Sequence, residues 1–291
     1  MEMHEIRPEI SQALLTNPGI GFIAAPELMN AEPNALRDSR GQIVAPYKFT
    51  PDSRTWNHPD SGVLFCSCRW KDIEPLQGTY DWRCLEEKLD AAAALGCTCI
   101  VRISPYALSA QEDIPAWLRM RYPEEPEFPF WRIDPNTTEY PRLWAALIRN
   151  FAARYDGDPR ITSVDMAIVG AWGEGGGTEN MEENAMKTVI AAYMEGFPHT
   201  PLTALLHDPK SLACIRAFPK QVGFRVDCLG DMGGFHGDRW NHMLDFYPEN
   251  IQNFQMGDAW QEAPVVFEAC WHMNDWYLQG WDIDYIIDES L

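Results

Sequence analysis

Residues 161–174 read Ile-Thr-Ser-Val-Asp-Met-Ala-Ile-Val-Gly-Ala-Trp-Gly-Glu, and glycines follow at positions 175–177. The first part of this stretch is a run of β-branched and apolar residues, which is typical of a strand buried on both faces of a parallel sheet. The glycines indicate a change from strand to irregular loop. The stretch therefore predicts a buried parallel strand that carries Glu174 to the rim of an α/β fold.

A second stretch has the same form. Residues 263–271 read Ala-Pro-Val-Val-Phe-Glu-Ala-Cys-Trp, a short apolar strand that ends at Glu268 and is followed by Trp271. In α/β barrels the active site is built at the carboxyl ends of the strands. Two carboxylates, each at the end of its own strand and each near a tryptophan, form the simplest set that can cleave a glycosidic bond.

Segments typical of strands and of helices alternate along the rest of the chain. Strands are predicted near residues 17–25, 62–70, 97–103, 161–174, 201–206, 222–229 and 265–268, and helices near residues 83–96, 139–155, 180–196, 209–219 and 241–254. Parallel strands joined by helical crossovers close into a ring when eight units are present. The fold class is therefore predicted to be α/β, a single (β/α)8 TIM barrel that spans residues 1–291.

Only seven of the eight expected strands can be identified. Either the N-terminal lead-in completes the ring or the natural polypeptide continues past Leu291, and we expect the second because residues 272–291 have the pattern of a crossover before a last strand. Residues 26–61 lack apolar periodicity and predict a long loop. The prolines and aromatics of residues 107–138 predict an irregular excursion over the rim of the barrel.

Composition narrows the functional class. Of the 291 residues 46% are hydrophobic, enough for a large core, and the formal net charge is -20. Such a charge repels phosphate backbones, so neither nucleic acid nor an anionic membrane surface is expected as a partner. The sequence contains neither a run of about 18 apolar residues nor a basic and apolar leader, and we expect a cytoplasmic protein with a neutral ligand.

The cysteines raise the alternative of a metal centre. Cys66-Ser-Cys68 and Cys97-Thr-Cys99 lie in apolar runs, where residues two apart share one face of a strand, and no histidine pair follows at zinc-ligand spacing. We interpret all eight cysteines as buried free thiols, which favours a reducing compartment. If Arg69 and Arg102 point into the barrel, alternation along the strands turns these four cysteines towards the helices.

Further polar and aromatic residues lie at the predicted carboxyl ends of the strands. The predicted substrate-binding set is Arg69, Trp70, Arg102, Tyr106, Trp172, His207, Asp227, His236 and Trp271. Indole rings stack on the apolar C–H faces of sugars, and histidine and aspartate side chains bind hydroxyl groups. We predict neither a metal nor another cofactor.

These residues also have structural interpretations. The tryptophans can belong to the core, and the two arginines can form purely structural pairs with Asp165 or Asp227. A third interpretation makes metal ligands of the histidines and acids after the fifth and sixth strands, namely His207, Asp208, Asp231 and His236.

Hydrolysis of an acetal requires one protonated carboxyl group and one ionised carboxylate. Burial raises the pKa of a carboxyl group and a neighbouring arginine lowers it. We therefore predict that Glu174, on the glycine-rich rim, is the acid/base. Glu268, expected to lie deeper and within reach of an inward arginine, is predicted to be the nucleophile.

Residues 69–82, Arg-Trp-Lys-Asp-Ile-Glu-Pro-Leu-Gln-Gly-Thr-Tyr-Asp-Trp, resemble the W-x-x-I-E-P-x-x-G-x-Y-x-W segment of β-galactosidase-like clan A glycoside hydrolases. Residues 155–161 and 169–174 are similar to the approach to the acid/base glutamate in that clan. The resemblance implies a retaining (β/α)8 glycosidase with a carbohydrate substrate, the acid/base at Glu174 and the nucleophile at Glu268. The clan usually has asparagine, which holds the sugar 2-hydroxyl, where this chain has Gly173, and this departure indicates a divergent member.

Two other functions remain as alternatives. A carbohydrate-binding barrel without catalytic activity is favoured if the two carboxyl groups lie far apart. A metal-dependent barrel hydrolase or sugar isomerase is disfavoured because the first strand ends Phe-Ile-Ala-Ala at residues 22–25 without a His-x-His pair. No nucleotide-binding fingerprint and no G-x-S-x-G nucleophile motif occurs in the sequence.

Overall fold

The computed structural model describes residues 23–24, 34–37, 43–47, 62–105, 114–122, 134–171, 173–233, 240–269 and 273–288. The strands in chain order are β1 (Ile23–Ala24), β2 (Asn34–Arg37), β3 (Ile43–Tyr47), β4 (Val63–Arg69), β5 (Thr98–Ser104), β6 (Ile161–Asp165), β7 (Leu202–Leu205), β8 (Gly223–Leu229) and β9 (Val265–Ala269). Seven of them form one parallel sheet in the order β1-β4-β5-β6-β7-β8-β9. Apart from the excursion through β2 and β3, the sheet order follows the chain order, as in a barrel built from consecutive β/α units.

Helices follow most of these strands in the described parts of the chain. They are α1 (Trp70–Ile73), α2 (Arg83–Ala94), α3 (Ala116–Arg119), α4 (Glu139–Tyr155), α5 (Glu183–Gly196), α6 (Pro209–Ile215), α7 (His242–Asp245), α8 (Tyr247–Asn253), α9 (Met273–Leu278) and α10 (Ile283–Asp288). The predicted alternation of strands and helices is confirmed. None of the helices in the described ranges combines the length and the apolar character needed to cross a bilayer.

The segment from residue 26 to residue 61 differs from the prediction of a loop. Strands β2 and β3 pair antiparallel within it and form a separate two-stranded sheet. Both strands are short, and β3 contains Pro46, which interrupts the alternation that identifies a strand in sequence. The predicted excursion at residues 107–138 lies largely outside the described residues, which include the single turn of α3 within it.

The hydrophobic core lies between the outer face of the sheet and the helices. Cys66, Cys68, Cys97 and Cys99 are buried there among leucine, valine and tryptophan side chains, which confirms their predicted orientation. Cys228, however, is disulfide-bonded, so the interpretation of all eight cysteines as free thiols is wrong. The spacing of cysteines along a chain does not reveal which thiols meet in the fold. The disulfide removes the argument for a reducing compartment.

The inner face of the sheet is divided into two layers. Val63, Phe65, Ile100 and Val266 form an apolar cluster. Arg102 lies two residues beyond Ile100 on β5 and therefore on the same face of the strand, nearer to its carboxyl end. An apolar floor with charged groups above it is thus present at the end of the barrel where active sites are found.

Candidate active site

A cavity of about 480 Å³ opens at the carboxyl ends of the strands. Its apolar walls include Phe65, Ile100, Val266 and Phe267. Its charged lining consists of Arg102, Asp165, Glu174, Arg225 and Glu268. A pocket of this size, mostly apolar with a few convergent polar groups, has the form of a small-molecule site.

Asp165 lies at the centre of the charged layer and is 1% exposed. Its Oδ2 accepts hydrogen bonds from Nε and Nη2 of Arg102 at 2.8 and 2.6 Å, and Nε of Arg225 lies 2.9 Å from the same oxygen. Burial alone would raise the pKa of Asp165, but the charges of Arg102 and Arg225 outweigh it and lower the pKa below its ordinary value. Asp165 is therefore an anion shared by two buried cations.

Glu174 lies on a loop, because the strand predicted for residues 161–174 ends at Asp165. The loop contains Gly173 at φ +81°, where a Cβ would lie 2.6 Å from the Cβ of Ala167 and 3.2 Å from Cδ of Arg102. A residue with a side chain therefore does not fit at the position before Glu174 without moving the loop. This close packing brings Oε1 of Glu174 to 3.7 Å from Nη1 of Arg102.

The environment of Glu174 favours its protonated form. Burial raises the pKa of its carboxyl group above the ordinary value, and the charges of Arg225 and Arg102 oppose this effect without cancelling it. The charges of Glu268 and Asp165 add to the increase. Glu174 is thus suited to hold a proton at a pH where an exposed glutamate has lost it.

Glu268 lies on β9 and faces Glu174 across the cavity. Its side chain is 57% exposed, whereas that of Glu174 is 31% exposed. The expectation that Glu268 is the deeper of the two is therefore wrong. Glu174 follows Gly173, which packs closely on Ala167 and Arg102, whereas Glu268 is the next-to-last residue of β9. The expected inward arginine is Arg225, whose Nη1 lies 3.9 Å from Oε2 of Glu268.

A third carboxylate, Asp227, belongs to the same cluster. One carboxylate oxygen each of Glu174, Asp227 and Glu268 lies within 4.8 Å of the other two, an arrangement that could hold a metal ion. Nη1 of Arg225 contacts Oδ1 of Asp227 and lies 3.9 Å from Glu268. A buried guanidinium thus already supplies positive charge to two of the three acids.

His207 adjoins the cluster through Asp227. Its Nδ1 lies 3.8 Å from Oδ2 of Asp227, and its side chain is 21% exposed. Burial, followed by the charges of His242 and Arg225, lowers the pKa of His207 to about 3. A neutral imidazole offers one donor and one acceptor, which is the property needed to bind a hydroxyl group.

Trp70 and Arg69 do not line the cavity, contrary to their predicted role in substrate binding. Trp70 is completely buried, donates from Nε1 to Oε2 of Glu74 at 2.7 Å, and packs against Trp144. Its indole is therefore a core residue and cannot stack on a ligand. Arg69 is the last residue of β4, and its Nε donates to Asp72 of α1 at 2.8 Å in an exposed pair.

The remaining sequence predictions divide into two groups. Four residues of the predicted substrate-binding set lie outside the described residues, namely Tyr106, Trp172, His236 and Trp271. Asp208 and Asp231, considered as metal ligands, have structural partners. Asp208 caps α6 by accepting from the Ser211 amide, and Asp231 accepts from the His242 amide and lies 2.6 Å from His242 Nδ1.

The sequence pointed to Arg225 only through its place at the end of a strand and to Asp165 only as a structural partner of Arg69 or Arg102, and the structure shows the pair of Arg102 with Asp165. Asp165 and Arg225 are charged residues within short strands whose other residues are mostly apolar or small. A charge in a buried strand costs free energy unless it is paired, so the two residues indicate a partner inside the barrel. The pair of Arg102 with Asp165 was one of the sequence interpretations, but the proximity of Arg225 to the same carboxylate was not.

Part of the chain matches the model of a known protein family. Residues 61–166 match the glycoside hydrolase family 42 model, which is described as β-galactosidase. The match begins just before β4, includes residues 69–82 and ends just after β6. It confirms the resemblance to clan A glycoside hydrolases that the sequence predicted. No curated protein matches the chain by sequence.

Solved structures share the architecture. The catalytic domain of β-amylase from Paenibacillus polymyxa has a TM-score of 0.55 at 10% identity, over 81% of this chain and 84% of that one. Xylanase 10B from Thermotoga petrophila RKU-1 has a TM-score of 0.49 at 12% identity, over 92% and 77%. Exo-β-1,4-mannosidase Op5Man5 from Opitutaceae bacterium strain TAV5 has a TM-score of 0.48 at 13% identity, over 88% of this chain and 52% of that one. At 10% identity the likeness to the β-amylase confirms a fold similar to a TIM barrel, of which the described residues form seven parallel strands.

Proposed function

We propose that this protein is a glycoside hydrolase that cleaves a glycosidic bond with retention of configuration, with Glu174 as the acid/base and Glu268 as the nucleophile. The observation that carries the proposal is the separation of the two acids. One carboxylate oxygen of Glu174 lies within 4.8 Å of one carboxylate oxygen of Glu268 across the cavity, which brings the two groups into the range of a retaining pair. Retaining glycosidases place their two carboxyl groups about 5–5.5 Å apart, whereas inverting enzymes leave about 6.5–9.5 Å for a water molecule.

The different surroundings of the two acids support the two roles. Burial raises the pKa of Glu174 and so favours its protonated form, as a general acid requires, and Arg225 lies beside Glu268. The greater exposure of Glu268 does not oppose its role, because a nucleophile must be ionised and must reach the anomeric carbon.

The proposed reaction has two steps. Glu268 attacks the anomeric carbon and forms an ester to it, while the bond to the leaving oxygen breaks and Glu174 transfers its proton to that oxygen. Glu174, now ionised, removes a proton from water as the water oxygen attacks the anomeric carbon. The ester bond breaks, Glu268 leaves as a carboxylate, and Glu174 is protonated again.

The cavity also supports a carbohydrate as substrate. Phe65 and Phe267 contribute apolar surface on which the C–H face of a sugar ring can pack. Asp227, one oxygen of which lies within 4.8 Å of both glutamates, supplies an acceptor for a hydroxyl group, and the neutral His207 lies next to Asp227. The volume of about 480 Å³ accommodates a group of one or two sugar rings.

A panel of nitrophenyl glycosides tests the proposal. We expect turnover by the wild-type protein and loss of about 10²–10⁴-fold in kcat for Glu174→Ala and for Glu268→Ala. Azide should rescue Glu174→Ala by attacking the glycosyl-enzyme, and proton NMR of the first product should show the anomer of the substrate. Glu195→Ala, an exposed glutamate on α5, serves as the matched control. Full turnover by Glu268→Ala would refute the nucleophile assignment.

The acid cluster makes a metal-dependent hydrolase the second candidate. The observation in its favour is the group of Glu174, Asp227 and Glu268. Turnover after exhaustive treatment with a chelator, followed by addition of magnesium, calcium, manganese or zinc ions, separates the two functions. We expect the same rate throughout for a retaining glycosidase, whereas loss with the chelator and recovery with one ion would establish the metal-dependent reaction.

A further inference from the structure

Both arginines of the cavity lie beside Asp165. Nε of Arg102 donates a hydrogen bond to Oδ2 of Asp165, and Nε of Arg225 lies 2.9 Å from the same oxygen. Nη1 of Arg102 lies 3.7 Å from Oε1 of Glu174, and Nη1 of Arg225, which contacts Asp227, lies 3.9 Å from Oε2 of Glu268. A single aspartate thus lies behind both members of the proposed catalytic pair.

All three charged groups of this arrangement are buried. The side chains of Arg102, Asp165 and Arg225 are 5%, 1% and 3% exposed. Two buried guanidinium groups repel each other, and an anion between them offsets this repulsion. Asp165 is the shared anion, and the Nη1 atoms of the two arginines lie on the side of Glu174 and Glu268.

We propose that Asp165 is a positioning residue that acts on the two glutamates through Arg102 and Arg225, by fixing both guanidinium groups and by balancing their charge. The inference rests on the proposed function, because it gives the two glutamates their catalytic roles. Asp165 itself exchanges no proton with the substrate. Its carboxylate decides how much positive charge Glu174 and Glu268 experience.

The charged groups that face Glu174 come from several strands. They are Arg102 on β5, Asp165 on β6, Arg225 and Asp227 on β8, and Glu268 on β9. The negative charge of Asp165 contributes to the raised pKa of Glu174, and the charge of Arg225 opposes it. Removing the charge of Asp165 should therefore lower the pKa of Glu174, and removing that of Arg225 should raise it.

The pKa of Glu174 can be measured by carbon-13 NMR titration of protein labelled at the glutamate side-chain carboxyl groups. The Glu174 signal is assigned by its loss in Glu174→Gln. We expect Asp165→Asn to move the midpoint of Glu174 to lower pH by about half a unit to one unit. Arg225→Met should move it in the opposite direction, and it provides a second measurement if Asp165→Asn does not fold. The alkaline limb of kcat/KM should move in parallel with each midpoint.

Ser163→Ala is the matched control. Ser163 is fully buried on β6, two residues before Asp165 and on the same face of the strand, but it carries no charge. We expect it to leave the Glu174 midpoint unchanged. A residue with a merely structural role would, when replaced, lower the melting temperature without moving the titration of Glu174.

The outcomes separate this inference from the proposed function. If folded Asp165→Asn and Arg225→Met both titrate at the wild-type midpoint, the inference is overturned even where activity is lost. If the wild-type protein hydrolyses no glycoside, the proposed function fails. The NMR midpoints would in that case still decide whether Asp165 controls the charge at Glu174.

Discussion

Gly173 packs so closely on Ala167 that a Cβ at position 173 would lie 2.6 Å from the Cβ of Ala167. The same hypothetical atom would lie 3.2 Å from Cδ of Arg102, the arginine that reaches Glu174. In the resembling clan an asparagine is expected before the acid/base, and the packing around Gly173 leaves no space for such a side chain in this loop. The left-handed φ of +81° also favours glycine at this position.

Replacement of Gly173 by asparagine should therefore impair the protein rather than restore the pattern of the clan. We expect Gly173→Asn and Gly173→Ala to lower kcat/KM by more than about tenfold, because a displacement near 1 Å at a catalytic group has effects of that order or larger. Gly96→Ala is the control, since Gly96 has a φ of +73° with no atom within 4 Å of the added Cβ. It should cost about 1–2 kcal/mol of stability without changing kcat/KM. Higher activity in Gly173→Asn would contradict the packing argument.

Replacement of Glu174 by glutamine should stabilise the fold while it removes the proposed general acid. The pKa of Glu174 is raised by burial, so the wild-type protein gains stability from this group below the ordinary glutamate pKa of about 4.3 and loses it as the pH rises through the raised value. Glutamine is neutral at every pH and avoids this loss. Urea denaturation should show Glu174→Gln to be more stable than wild type near neutral pH, with the difference vanishing below about pH 4. A less stable variant at neutral pH would mean that attraction to the arginines dominates.

His207 should make the protein sensitive to acid. Its pKa is lowered to about 3 in the folded state, mainly by burial, whereas an unfolded chain binds a proton on histidine near pH 6.5. Between these values the unfolded state holds more protons, so stability falls as the pH falls, by up to about 1.4 kcal/mol for each pH unit. In His207→Asn this contribution is absent, and the slope of the unfolding free energy between about pH 6 and pH 4 should be smaller. An equal slope in both proteins would show that His207 titrates normally.

Trp70 and Arg69 should separate stability from ligand binding. Trp70→Ala removes a fully buried indole and should cost about 3–5 kcal/mol of unfolding free energy. KM measured on the folded fraction should stay at the wild-type value. Arg69→Ala removes an exposed pair with Asp72 and should cost about 0–1 kcal/mol. An increase in KM with either variant would return that residue to the substrate-binding set.

The helices illustrate what could be predicted from the chain alone. Helix α4 spans Glu139–Tyr155, the same residues that the spacing of Leu143, Leu147 and Phe151 predicted. Local apolar periodicity suffices in such a case because the residues that share one face of a helix are three or four positions apart. The hairpin of β2 and β3 was missed because two short strands, one with a proline, have no such repeat.

The site shows the limit of the same reasoning. Both glutamates were predicted as site residues from their positions at the ends of apolar runs, and one carboxylate oxygen of each lies within 4.8 Å of the other. Their depths were predicted in the reverse order, and Trp70 was assigned to the cavity although it lies in the core. Strand alternation tells which face a residue occupies within the strand, but it says nothing of a loop that folds back or of a side chain just past the last strand residue.

The sequence by itself determined the barrel, the order of its strands and the two acids at their ends, because each of these follows from repeats and spacings within a few neighbouring residues. Only the tertiary structure decided that Glu174 is the more buried acid and that Asp165 lies between Arg102 and Arg225. These properties depend on distances between residues that are far apart in the sequence. Arg102 and Arg225 are each 60 or more positions away from Asp165. Burial and Coulomb interactions act through such distances in space, and the linear order of residues does not contain them.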